Sequence, residues 1–197
     1  MKIVVSEFMT LDGVVQAPGG SEEDTDGGFA HGGWSMPFFE PETMGPFLDT
    51  TMAATEALLF GRRTWQTMAA AWPGRAGDPF ADRMNAITKY VASTTLQADE
   101  LRWSNSVLLP ADATLDAIAE LRDRAGGDLQ VMGSAGLVTS LASRGLVDEY
   151  RLMIEPIVVG GGKRIFSADG EKQRLTLVDT STTGTGVLMC TYRPVAG

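Results

Sequence analysis

The stretch LQVMGSAGLVTSLASRGLVDEYRLMIEPIVVGGGKRIF, residues 129–166, decides the fold. An apolar run at Leu129–Met132 is followed by a turn of small residues, Gly133–Gly136, and then by apolar side chains at helical spacing. Gly145 is well placed to end that helix, and a second apolar run covers Val147–Val159. This order predicts a βαβ unit, in which the two strands are parallel and the crossover is right-handed.

The turn Gly133–Gly136 is the first candidate binding feature, because such a turn presents free backbone N–H groups at a helix N-terminus. A helix start of this kind binds phosphate, and small residues let the ligand approach the main chain. The sequence GSAG lacks the full spacing of a dinucleotide-binding fingerprint, so a purely geometric role is an equally good interpretation. Gly160–Gly162 leaves the same two interpretations open.

Strand and helix patterns alternate through the first three-quarters of the chain, and two strand patterns end it. Apolar runs predict strands at Lys2–Phe8, Ala57–Phe60, Lys89–Ala92, Val107–Leu109, Leu175–Thr180 and Gly186–Tyr192. Helical spacing predicts helices at Gly45–Ala57 and Thr114–Ala125, with a turn or short helix at Phe80–Ala86. It also predicts an alanine-rich helix that follows Gly61–Thr64 and ends at Trp72–Gly74. We therefore predict an α/β fold with a mostly parallel central sheet, flanking helices and a C-terminal antiparallel hairpin.

Composition bounds the class of protein. The 197 residues, 44% of them apolar, suit a single domain over residues 1–197. A formal net charge of −9 argues against nucleic acid or an anionic membrane as a partner, because either requires a basic face. The single cysteine fits a cytoplasmic protein, and no apolar stretch is long enough to predict a membrane span. The single histidine, His31, has no predicted metal-binding partners, so we expect it to be exposed.

A long loop at Pro18–Gly33 contains six glycines and four acidic residues. Loops of this length in compact domains are usually functional or disordered, and we expect residues 19–33 to order over a bound ligand. The aromatic residues Trp34 and Phe38 follow the loop. They would cap a ligand pocket, pin the loop to the core or contact a second copy of the chain, and the sequence leaves these interpretations open.

The segment GRRT at Gly61–Thr64 follows a predicted strand and begins a predicted helix. Two positive side chains at the positive end of a helix dipole are mildly unfavourable unless an anion binds there. Arginine suits phosphate, but solvation or pairing with carboxylates is an equally good interpretation. Ser93 and Thr94 follow another strand, where hydroxyls bind phosphate or ribose but also form turns. Because ligands of open parallel sheets bind at the carboxyl ends of strands, we expect these segments to converge.

Together these motifs resemble the dihydrofolate reductase fold, and in particular its branch containing the riboflavin-biosynthesis reductase domain. The resemblance covers nearly the whole chain. It is carried by TLDG at 10–13, LLFGRRTW at 58–65, ASTT at 92–95, QVMGSAG at 130–136, GLVDEYRL at 145–152 and PIVVGGGKRIF at 156–166. It implies a reductase that binds NADPH across the sheet and acts on a small molecule.

The resemblance also implies roles for particular residues. The residues implied to contact the adenosine 2′-phosphate and the pyrophosphate are Gly61, Arg62, Arg63 and Thr64. Those implied to lie on the adenosine side are Ser93 and Thr94. The residues implied to contact the pyrophosphate and the nicotinamide ribose are Gly133, Ser134, Ala135 and Gly136. The residues that match the family's loop beside the nicotinamide are Leu11, Asp12 and Val15. Asp12 is the candidate catalytic residue and, with Trp34 and Phe38, a candidate substrate contact.

The expected substrate class follows from one difference between this sequence and the dihydrofolate reductases. Dihydrofolate reductases carry an acidic residue on the first helix, whereas the matching region here, Gly45–Pro46, has no carboxylate. We therefore expect a small pteridine- or pyrimidine-like heterocycle or a carbonyl compound rather than folate. A riboflavin-pathway 5-amino-6-(5-phosphoribosylamino)uracil reductase is the alternative enzyme, although the acidic loop at Ser21–Asp26 would repel a phosphorylated substrate. A non-catalytic nucleotide-binding dimer is the alternative from another class.

We also expect a homodimer. The apolar hairpin Leu175–Tyr192 and the aromatic run Trp34–Phe39 are more apolar than the surface of a monomer of this size requires.

Overall fold

The structure, a computed structural model, describes residues 1–75, 77–166, 170 and 172–195. Its strands are β1 (Lys2–Thr10), β2 (Thr55–Gly61), β3 (Thr88–Ala92), β4 (Ser106–Leu108), β5 (Asp128–Met132), β6 (Glu149–Glu155), β7 (Leu175–Thr182) and β8 (Leu188–Pro194). Its helices are α1 (Pro41–Ala54), α2 (Arg62–Ala71), α3 (Pro79–Ala86), α4 (Thr114–Asp123) and α5 (Ala135–Ser143).

One sheet contains all these strands, in the order β4-β3-β2-β5-β1-β6-β8-β7. The pairs among β1 to β6 are parallel, whereas β8 is antiparallel to both β6 and β7. The predicted α/β fold, with its mostly parallel sheet and C-terminal hairpin, is confirmed. The predicted βαβ unit is β5-α5-β6, and β1 lies between its two strands, pairing in parallel with each.

The first helix begins earlier than predicted. Pro41, rather than Gly45, starts α1, and Pro46 lies inside the helix. Proline is favoured in the first turn because it has no N–H to leave unpaired, and Pro41 fills that position. The predicted end at Ala57 was also wrong, because β2 already begins at Thr55. The Phe80–Ala86 segment is part of helix α3, whose start is capped by Asp78.

Apolar side chains cover both faces of the sheet. One cluster joins the sheet to α4 and α5 and includes Val5, Val131 and Leu141. A second cluster, with Phe60 and Trp65, joins β2 and β3 to the helices on the other face. With both faces covered, ligands reach the parallel strands only at their ends, and the turns that follow β2, β3 and β5 lie at the same, carboxyl edge.

Candidate functional site

Two turns at the carboxyl edge hold each other in place. The N–H of Gly61, at the end of β2, donates to Ser134 Oγ over 2.9 Å. The N–H of Ser134, after β5, donates in return to Thr64 Oγ1 over 2.9 Å. A Cβ added at Gly133 would lie 2.9 Å from Thr64 Cγ2, so a larger residue would force the two turns or the Thr64 side chain to shift. The structure therefore brings the Gly61–Thr64 and Gly133–Gly136 turns together.

Ser134 has an unusual backbone conformation. Its φ is 62°, in the left-handed region that residues other than glycine rarely adopt, and Gly133 before it has a φ of 59°. This conformation costs on the order of 1 kcal/mol, and the two hydrogen bonds to the neighbouring turn offset part of that cost. The Ser134 side chain does not cap α5. The first N–H groups of α5 therefore have no partner in that side chain and suit an anion.

A cavity of about 480 Å³ lies beside these turns, outside the ends of β2 and β3. Its size is typical of a small-molecule site. Its lining on the β2 and β3 side includes Gly61, Arg62, Ser93, Thr94 and Thr95, and on the helix side Thr114, Leu115, Gly136, Leu137 and Ser140. A Cβ added at Gly136 would meet no atom within 4 Å, so the start of α5 is open at that residue.

The two arginines of the GRRT segment have different surroundings. Arg62 lines the cavity, and its Nη1 makes one long hydrogen bond, 3.4 Å, to Gln66 Oε1. Arg63 forms an ion pair with Asp26 in the long loop. Asp26 also pairs with Lys163 Nζ at 3.1 Å, and these two cations lower the pKa of its carboxyl group. Carboxylate pairing, one of the two interpretations of the sequence, thus describes Arg63. Arg62 pairs with no carboxylate in the described part of the chain, and its guanidinium has donors available for an anion in the cavity.

The long loop is tied to the rest of the protein at several points. The Gln16 amide donates to the carbonyls of Asp24 and Asp26, each over 3.0 Å, and Lys163 Nζ donates to the Asp24 carboxylate over 2.6 Å. Trp34 is buried, and its indole N–H donates to the Gln16 carbonyl over 2.7 Å. Trp34 therefore pins the loop to the core, which was one of the interpretations that the sequence left open. Ordering of the loop over a ligand stays a prediction.

Other predicted site residues lie apart from the cavity. Phe38 packs in an apolar cluster against α1 and β6, Val15 is buried, and the side chain of Leu11 is exposed. The Asp12 carboxylate accepts hydrogen bonds from Thr10 Oγ1 at 2.7 Å and from the backbone N–H groups of residues 159 and 160, and it pairs with Arg164. The Thr10 hydroxyl is the main cause of its lowered pKa. Asp12 therefore holds the glycine-rich segment, and its catalytic role stays a prediction.

Sequence analysis missed two buried carboxyl groups, Glu7 on β1 and Glu155 on β6. Burial raises the pKa of Glu7 well above its ordinary value, and the nearby Glu23 carboxylate acts in the same direction. Glu155 Oε1 accepts from Ser35 Oγ over 2.6 Å, and burial raises the pKa of this group to about 7. Among the described residues, Glu7 Oε1 and Glu155 Oε2 have no hydrogen-bond partner. The available signal was a lone acidic residue inside an apolar strand pattern.

His31 is exposed and packs edge-on against Phe29. In the part of the chain that the structure describes, no three His, Cys, Asp or Glu side chains are grouped to hold a metal ion. Within the same residues, no helix is long and apolar enough to cross a membrane.

A family model described as the RibD C-terminal domain matches residues 1–189. The chain is 28% identical over 196 residues to a Bacillus subtilis (strain 168) protein named "Uncharacterized protein YyaP", covering 97% of this chain and 94% of that protein.

Solved structures share the fold at low sequence identity. A putative riboflavin biosynthesis protein from Shewanella sp. PV-4 has a TM-score of 0.74 and 17% identity, with 100% of each chain covered. Dihydrofolate reductase from Enterococcus faecalis, complexed with NADP(H), has a TM-score of 0.60 and 15% identity, covering 99% of this chain and 97% of that one. A Thermotoga maritima deaminase/5-amino-6-(5-phosphoribosylamino)uracil reductase has a TM-score of 0.64 and 12% identity, covering 98% of this chain and 56% of that one.

Proposed function

Because the chain belongs to the RibD C-terminal domain family, we propose that it is an NADPH-dependent reductase acting on a small pteridine- or pyrimidine-like heterocycle or a carbonyl compound. The observation that carries this proposal is the cavity beside Arg62. Cationic, hydroxyl and small-residue groups line it together, next to a helix start with open space at Gly136. This set of groups suits a phosphorylated nucleotide better than an uncharged ligand.

The residues present fit the cofactor. Arg62, with Ser93 and Thr94 on the same side of the cavity, offers charged and hydroxyl groups for the 2′-phosphate of the adenosine. The first N–H groups of α5, which the Ser134 side chain does not cap, suit the pyrophosphate. NADPH, when bound, supplies a hydride. The protein's part is to hold the cofactor across the strand ends, to exclude water with the long loop and to supply a proton.

Glu155 is the proposed proton donor. Reduction of a carbonyl or imine group requires a proton as well as a hydride, and an efficient donor has a pKa near the working pH. Burial raises the pKa of Glu155 to about 7, and the Ser35 hydroxyl donates to its Oε1. The Glu155 side chain is fully buried, so the proposed role requires the segment around Ser35 to move when a substrate binds. Glu155 lies at the carboxyl end of β6, beside Thr10 at the end of β1. Asp12 is less suited to this role, because its pKa is lowered and its oxygens are already bonded.

A riboflavin-pathway reductase is the second candidate. The sequence argued against a phosphorylated substrate because of the acidic loop. In the structure, Asp24 pairs with Lys163, and Asp26 pairs with both Arg63 and Lys163. Much of the loop's negative charge is therefore neutralised locally, which weakens the objection to a ribose phosphate on the substrate.

Turnover tests the proposal and separates a reductase from a non-catalytic binder. NADPH oxidation is followed with a panel of pteridines, the phosphoribosylaminouracil and simple aldehydes and imines. We expect oxidation to depend on one class of these compounds. Glu155→Gln should slow turnover while leaving NADPH affinity unchanged. NADPH binding without oxidation of any compound would favour the non-catalytic alternative.

A further inference from the structure

β1 has an open flank at its carboxyl end. β5 runs beside β1 only from Lys2 to Ser6, where Met132 is the last paired residue, whereas β6 continues along the other side to Thr10. In the described part of the chain, no strand pairs with Glu7–Thr10 on the β5 side. A crevice therefore begins at Glu7, between the end of β5 and the last residues of β1, and such crevices are where open α/β sheets bind ligands.

The carboxyl group of Glu7 lies in this crevice. The Gly133 N–H, directly after β5, hydrogen-bonds it, and the Glu23 carboxylate of the long loop is close enough to raise its pKa. Glu7 is only 4% exposed, and its Oε1 has no hydrogen-bond partner among the described residues. A buried polar atom without a partner costs free energy, and such an atom in a crevice indicates a ligand that supplies the missing partner.

The chemistry of the Glu7 carboxyl group limits what that partner can be. Burial and the neighbouring Glu23 carboxylate both raise the pKa of Glu7, which favours its neutral form. A carboxyl group accepts hydrogen bonds in either state and also donates one when it is protonated. A primary amide, with an acceptor oxygen and two N–H donors, is therefore a suitable uncharged partner for the unpartnered Oε1.

The order of the strands indicates which part of the cofactor would reach the crevice. The cavity with Arg62 lies outside β2 and β3, the Gly133–Gly136 turn follows β5, and β1 is the next strand along the sheet. An extended dinucleotide with its adenosine in the cavity and its pyrophosphate at the turn has its nicotinamide at β1. The 3-carboxamide of that ring carries an amide oxygen.

We infer that Glu7 is a cofactor-recognition residue whose buried carboxyl group hydrogen-bonds the nicotinamide carboxamide. This inference rests on the proposed function, because it requires NADPH to bind across the strand ends. It assigns Glu7 to the half of the cofactor that Arg62 does not contact.

Two ligands and two variants test this inference. The ligands are NADPH and 2′-phospho-ADP-ribose, which keeps both phosphate regions and lacks the nicotinamide ring. The variants are Glu7→Gln, which keeps a neutral donor, and Glu7→Met, which keeps the approximate volume and removes the donor. Dissociation constants of the full-length protein are measured by calorimetry for each pair. Circular dichroism and thermal unfolding verify that each variant is folded.

We expect Glu7→Met to lower the affinity for NADPH by about threefold to tenfold, as is typical of the loss of a single neutral hydrogen bond. The affinity for 2′-phospho-ADP-ribose should be unchanged. Glu7→Gln should bind both ligands like the wild type. Equal changes for the two ligands in Glu7→Met, or wild-type affinity for NADPH, would overturn the inference. If Glu7→Met does not fold, Glu7→Gln decides instead, and an equal loss of affinity for the two ligands in that variant overturns the inference. Failure of the wild type to bind either ligand refutes the proposed function itself.

Discussion

Replacement of Arg62 by alanine examines the adenosine end of the proposed site. In the structure, the Arg62 guanidinium lines the cavity with Ser93 and Thr94, and its one side-chain hydrogen bond to the described residues, to Gln66, is long at 3.4 Å. Binding of a phosphate therefore costs little in broken contacts. Because the 2′-phosphate is the only large difference between NADPH and NADH, the Arg62→Ala variant should lose affinity for NADPH and bind NADH as before.

The magnitude follows from the kind of contact and its surroundings. A hydrogen bond to a charged group contributes about 1.5–3 kcal/mol. Arg62 is half-buried in an open cavity, so water and salt screen the pair, and the lower end of that range applies. About 1.5 kcal/mol corresponds to roughly a tenfold loss of NADPH affinity.

The assay is a pair of dissociation constants, for NADPH and for NADH, at fixed ionic strength. Arg63→Ala is the matched control, because Arg63 is the neighbour of Arg62 in the sequence but pairs with Asp26 rather than lining the cavity. We expect this control to affect the two cofactors equally. Equal losses for NADPH and NADH in Arg62→Ala, or selective loss of NADPH in Arg63→Ala alone, would refute the assignment of the 2′-phosphate to Arg62.

Four further predictions concern other parts of the protein. Gly136→Ala should raise the free energy of unfolding by about 0.5–1 kcal/mol, since alanine is more stable than glycine in a helix. The same variant should have a lower affinity for NADPH in a titration, because the added methyl group enters the cavity. Lys89→Met should lower the free energy of unfolding in urea by about 2–4 kcal/mol, because Lys89 Nζ donates to three carbonyls at the end of α3, at 2.9, 3.0 and 2.8 Å; a smaller loss than 1 kcal/mol would contradict this. The pKa of Glu155 is about 7 in the folded state against an ordinary value of 4.5, so the folded state binds an extra proton between these pH values and stability falls as pH rises through them. Glu155→Gln should remove up to about 3 kcal/mol of that fall, measured by urea titrations at several pH values. An unchanged dependence of stability on pH would contradict this prediction. The exposed apolar side chains Leu177 and Val178 on the edge strand β7 support the predicted homodimer, which sedimentation should detect and Val178→Lys should weaken; a wild type that is monomeric at micromolar concentration would exclude it.

Local sequence patterns were sufficient to predict the architecture. The apolar run, small-residue turn and helical spacing of residues 129–166 gave β5, α5 and β6, because a strand and a helix have different side-chain periods. Helix starts were predicted less well where two signals competed. Both Pro41 and Pro46 suit a first turn, and local sequence alone did not show that Pro41 takes that position.

The site was predictable only where a motif lies next to its own strand. The two turns at Gly61 and Ser134 were identified, but the hydrogen bonds between them join residues 73 and 70 positions apart and have no local signal. The Arg63–Asp26 pair also depends on how the long loop folds back. Glu7 is visible in the sequence as an acidic residue among apolar ones, yet only the early end of β5 reveals the crevice beside it.

The central claim is that this member of the family binds NADPH across the carboxyl ends of its strands. The most direct measurement is a titration of the wild-type protein with NADPH and, separately, with NADH, followed by the fluorescence of the reduced nicotinamide. We predict saturable binding of one NADPH per chain, roughly tenfold tighter than that of NADH. No saturable signal with either cofactor, at protein concentrations where the chain is folded, would contradict the claim.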